Sequence, residues 1–81
     1  MPSVDDLVNR AISKANGGNI HSVLVLCSYY RSSMSISTTT LNAWPENRRS
    51  QRLRDIAKYE WALQHVTDTG KLPNFSDYHI G

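Results

Sequence analysis

Between Arg48 and Lys58 the chain carries Arg48, Arg49, Arg52, Arg54 and Lys58 against a single acid, Asp55. Guanidinium and ammonium groups gathered on so short a segment suit the binding of phosphates or carboxylates. Each contact with a nucleic-acid backbone also releases condensed counterions. At about 100° per residue, Arg54, Lys58, Trp61 and His65 fall on one stripe of a helix, away from Ile56 and Leu63. Cations interleaved with an indole can hold phosphates and stack a base. The ordinary alternative is a solvated helix face, with Trp61 at its edge packing on the C-terminal tail. The net charge is only +2, so the excess of positive charge is local to this segment.

A second stretch with chemical potential is Ile36-Ser37-Thr38-Thr39-Thr40-Leu41-Asn42-Ala43-Trp44. It resembles the turn and recognition helix of helix-turn-helix domains, where an aliphatic-Ser turn precedes a short polar helix anchored by a Leu and a Trp. The resemblance covers nine residues. It implies that Leu41 and Trp44 face inward, while Thr38, Thr39, Asn42 and Ala43 face outward toward phosphates or base edges. Helices at 3–16 and 20–32 would then supply the rest of a trihelical unit. The sequence departs from that pattern at Tyr30 and Arg31, where a small residue is expected, at Ser35, where glycine is frequent, and at Pro45, which cuts the helix short.

Catalytic and metal-binding patterns are not found. The chain has no phosphate-cradling glycine loop, no His-Glu-x-x-His and no nucleophile elbow. Gly17-Gly18 suits a helix stop better than a phosphate site. His21, His65 and His79 are far apart, and with one cysteine no zinc spacing exists. Cys27, within an apolar run, reads as a small core residue more readily than as a nucleophile. The expectation is a binding protein with no catalytic residues, no cofactor, no metal and no small-molecule substrate.

The elements that must position these residues are legible to different degrees. Residues 3–16 predict a helix: Ser3 is a suitable N-cap, Asp5 and Asp6 sit at the positive end of its dipole, and Val4, Leu7, Val8, Ala11, Ile12 and Ala15 form one apolar stripe. Asn16-Gly17-Gly18 supplies a left-handed stop. Residues 20–34 predict a helix capped by Asn19, with Ile20, Val23, Leu24, Cys27, Tyr30 and Met34 on one side. The alternative is a strand paired with Met34–Thr40 as a hairpin at about 22–40, giving an α-β-β-α chain. Residues 45–68 predict the longest helix, with Pro45 at its first position and Leu53, Ile56, Ala57, Tyr59, Leu63 and Val66 as its apolar face. Its first two turns, 46–52, are polar all round, so this end is expected to project into solvent or onto a partner. Glu60 interrupts the stripe, which argues against a simple coiled coil.

Together these readings predict an all-α, single-domain protein of three to four helices at 1–70, followed by an irregular tail at 71–81. The tail repeats apolar residues at Leu72, Phe75, Tyr78 and Ile80. With 81 residues there is room for one thin core, and stability is expected to be marginal. The lone cysteine suits a reducing compartment. The acidic start lacks the features of a signal peptide, and the longest apolar run, Val23–Cys27, is five residues. A cytoplasmic, non-membrane protein is therefore expected. The expected partner is a nucleic acid, met through Arg48, Arg49, Arg52, Arg54, Lys58 and Trp61 with Thr38, Thr39 and Asn42. The alternative is a protein-binding inhibitor or adaptor of the kind viruses and mobile elements encode, meeting an acidic protein surface. A homodimer through the long helix is a third arrangement.

Overall fold

The computed structural model describes residues 3–78. The tail positions His79 and Ile80 lie outside the described residues. Four α-helices follow one another: α1 (Val4–Lys14), α2 (Ile20–Met34), α3 (Thr38–Ala43) and α4 (Glu46–Thr69). Short 3₁₀ turns occupy Gly17–Asn19 and Phe75–Asp77. No strand occurs among the described residues, so the hairpin alternative at 22–40 falls. The reason is visible in α2, where Val23, Leu26, Cys27 and Tyr30 are the buried residues. Only a spacing of three and four residues brings all of them to one side. No described helix is long and apolar enough to cross a membrane.

α1 begins where Ser3 Oγ accepts the Asp6 amide at 3.0 Å. Arg10 pairs with Asp6 one turn along at 2.9 Å. The helix stops at Ala15, which is extended, and Gly17 then takes a positive φ of 43°. Asn19 does not cap α2 with its side chain. It is itself helical, being the last residue of the 3₁₀ turn that leads into α2. Ser37 caps α3, accepting the Thr40 amide. Pro45 sits one place earlier than expected, as the extended residue whose carbonyl accepts the Arg48 and Arg49 amides.

The core joins α1, α2 and α4. Leu7, Val8 and Ala11 meet Val23, Leu26, Cys27 and Tyr30, and both sets meet Ile56, Ala62, Leu63 and Val66. Two expected core faces are rotated. On α2, Ile20, Leu24 and Met34 stand outside at 38%, 45% and 39% exposure and Leu26 is inside. On α4, Leu53 is 61% exposed and Ala57 is also outside, while Ala62 is fully buried. In both helices the partners on either side select the burial arc, and an apolar residue just outside that arc stays wet.

Gly70 ends α4 in the left-handed conformation, φ 79°. Its carbonyl accepts the Asn16 amide at 3.0 Å, tying the exits of α1 and α4 together. A Cβ there would lie 2.5 Å from Asn16 Nδ2 and 3.0 Å from the Lys14 carbonyl oxygen, so the seam admits glycine alone. Beyond it, Leu72 packs on the core and the turn at Phe75–Asp77 returns against α4.

Candidate nucleic-acid interface

The cations at the start of α4 do not form one surface. Arg48 and Arg54 are exposed, whereas Arg49, Arg52 and Lys58 are half-buried. Arg52 Nε donates to the carbonyl of Ser33 at 2.9 Å, in the last turn of α2. Arg49 Nη1 donates to the carbonyls of Trp44 at 3.0 Å and Leu41 at 3.4 Å, at the end of α3. Helix C-termini carry unpaired carbonyls and a partial negative charge, so a guanidinium there is both a hydrogen-bond donor and a dipole partner. This corrects the expectation for residues 46–52. That segment does not project freely: its inward side replaces apolar packing with two arginine caps, and those caps explain why it is polar all round.

Arg48 turns toward the aromatic linker. Its guanidinium lies 4.0 Å from the Trp44 ring centre, a cation–π distance. Arg54 Nη2 donates to Gln51 Oε1, and Gln51 Nε2 in turn donates to Asp55 Oδ1, both at 2.9 Å. Among the described residues the ion pairs are Arg10 with Asp6 and Arg31 with Asp5. Among the described residues, then, no carboxylate lies within ion-pair distance of the Arg48–Lys58 group, although Asp55 shares its depressions.

Trp61 is not the open stacking platform of the expected stripe. Tyr78 and Phe75 close over it, with ring centres 5.1 and 6.2 Å away, and His65 lies 6.4 Å along the helix. Lys58 Nζ stands 5.3 Å from the Phe75 ring. The indole thus packs under the C-terminal tail.

α3 leaves Thr38, Thr39 and Asn42 exposed, as the helix-turn-helix resemblance implies, and Leu41 and Trp44 half-buried. The trihelical unit, however, is built differently. The helices that pack on one another are α1, α2 and α4, and α3 contributes no buried residue. α3 is a short bridge, tethered to α4 by Arg49, and not the third helix of the core.

A groove that sequence reasoning missed runs between α2 and α4. It encloses about 470 Å³ and is lined by Ser22, Val25, Leu26, Tyr29, Asp55, Lys58, Tyr59, Leu72 and Phe75. Tyr29 is 59% exposed, and its ring stacks on Tyr59 at 6.3 Å with an 18° tilt. A separate, smaller depression of about 260 Å³ lies toward α3, lined by Trp44, Arg48 and Arg52, and Asp55 lines both. The signal in the sequence was Val25 and Tyr29, four apart on α2 and outside the core stripe, which mark a second apolar face.

Burial raises the pKa of the Tyr30 hydroxyl, helped by Glu60, whose Oε1 accepts its hydrogen at 3.2 Å. The same bond accounts for the acid that breaks the apolar stripe of α4. Burial likewise pushes up Tyr59, with Asp55 and Tyr29 adding to the effect. The Cys27 thiol is raised by burial against the opposing pull of Arg31, which suits a core residue and not a nucleophile. No group of three His, Cys, Asp or Glu side chains suited to a metal ion occurs among the described residues.

No protein-family profile, curated protein or solved structure matches the chain.

Proposed function

We propose that the protein is a small non-enzymatic, nucleic-acid-binding protein of regulatory type that docks through the first half of α4. The observation that carries this reading is the clustering of Arg48, Arg49, Arg52, Arg54 and Lys58 on one helical segment, none of them ion-paired among the described residues. Arg49 and Arg52 contribute charge held in fixed positions. Arg48, Arg54 and Lys58 supply the outward contacts, and the exposed hydroxyls of Thr38 and Thr39 and the amide of Asn42 lie on the adjoining bridge.

A second reading, a protein-binding inhibitor or adaptor, is favoured by the apolar groove with its exposed Tyr29, because tyrosine and arginine are frequent interface anchors. Salt separates the two. Binding to a nucleic acid should weaken linearly in log–log form, with a slope of about −0.7 per contacted phosphate on a single strand and about −0.9 on duplex. The triple replacement of Arg48, Arg54 and Lys58 by Gln should reduce the slope by about 2 to 3 and leave the helical circular dichroism intact. Arg49 and Arg52 are avoided in that test because they cap helices. A slope that is flat in the parent protein would sink the nucleic-acid reading.

A further inference from the structure

Resting on the nucleic-acid reading, we infer that the preferred ligand is a single strand laid along the α2–α4 groove, with a base stacked on Tyr29. Sequence-specific duplex recognition places an element projecting from a packed unit into a groove of the helix. α3 has six residues and no buried anchor, so it does not supply one. The groove does supply what a single strand needs, namely aromatic faces beside cations.

Among the described residues Tyr29 is the most exposed Phe, Tyr or Trp side chain, and Tyr59 stacks behind it. A ring backed in this way loses little freedom when a base stacks on its open face. Lys58 lines the same groove. Arg48 lies ten residues earlier on α4, roughly 15 Å away along the axis, over the second ring at Trp44. Two aromatic stations thus lie in adjoining depressions: Tyr29 shares its groove with Lys58, whose Nζ rests over Phe75, and Trp44 lies beneath Arg48. Asp55, which lines both depressions, is the opposing feature. Its carboxylate repels a phosphate backbone, so the backbone runs on the Lys58 side and the bases face α2.

The test uses the full chain and a fluorescein-labelled oligothymidylate of about ten nucleotides, with a duplex of equal length beside it. Fluorescence anisotropy at low salt should favour the single strand. Tyr29→Ala should weaken that binding about tenfold or more, and Tyr29→Phe should leave it nearly unchanged. Asp55→Asn should tighten it by about two- to fivefold, a gain that a purely structural role for Asp55 does not give. Circular dichroism verifies that each variant is folded. Equal affinity for duplex together with indifference to Tyr29→Ala overturns the single-strand inference and leaves the α4 docking surface standing. Absence of salt-sensitive binding to either oligonucleotide overturns both. So does capture of an acidic amphipathic peptide in place of them.

Discussion

Arg52 reaches across from α4 to the Ser33 carbonyl at the end of α2, with Nε 2.9 Å from the oxygen. The guanidinium of a cationic segment thereby becomes part of the fold. Only the charge left on its outer edge remains for a partner. The same holds for Arg49 at the end of α3.

Arg52→Ala should therefore cost about 1–2 kcal/mol of stability, the worth of a charged hydrogen bond to a half-buried carbonyl. Arg48→Ala, which removes an exposed side chain stacked on Trp44, should cost less than about 1 kcal/mol. Urea unfolding midpoints compare the two. If both substitutions cost the same, the capping role assigned to Arg52 is wrong.

Gly70→Ala tests the seam between the exits of α1 and α4. The left-handed backbone alone costs a side-chain-bearing residue roughly 1–2 kcal/mol. The approach of Asn16 Nδ2 to 2.5 Å from the new Cβ adds to that. The double variant Asn16→Gly with Gly70→Ala should recover part of the loss by removing the side-chain clash, leaving the close Lys14 carbonyl and the strain. Calorimetric melting of the three proteins gives the ordering; a single variant as stable as the parent would refute the seam.

Alkaline pH should loosen the molecule. Tyr30 and Tyr59 both rise above the ordinary 10.0, and Cys27 rises above 9.0. Each group holds its proton more tightly folded than unfolded. The unfolded chain therefore binds fewer protons in the window above those ordinary values, and unfolding becomes easier as pH rises through it. The contribution is whole below about pH 9 and is lost as each folded pKa is passed. Urea midpoints on either side of pH 10 should show the decline, and Tyr30→Phe should flatten it at a small cost near neutrality. A midpoint independent of pH across that window would contradict the burial of these hydroxyls.

The start of α1 was legible because its cap is local: Ser3 acts on the Asp6 amide three residues on. The all-α class followed from the period of the apolar residues. What the sequence could not place was set by tertiary partners. The burial arc of α2 includes Leu26 and omits Leu24 because α1 and α4 approach from particular sides. The cationic segment is visible in the sequence, yet which arginines cap helices and which stay exposed depends on where the C-termini of α2 and α3 fall. Trp61 illustrates the same limit: it packs at the edge of the core under a tail that comes from more than ten residues away.

That covering tail leaves the two tryptophans of the chain in unlike surroundings, one roofed by Phe75 and Tyr78 and one beneath a guanidinium. The molecule thus carries two native optical reporters. With Trp61 replaced by Phe, the remaining indole emission would register arrivals at the cationic end. With Trp44 replaced instead, it would register only whether the C-terminal roof is in place.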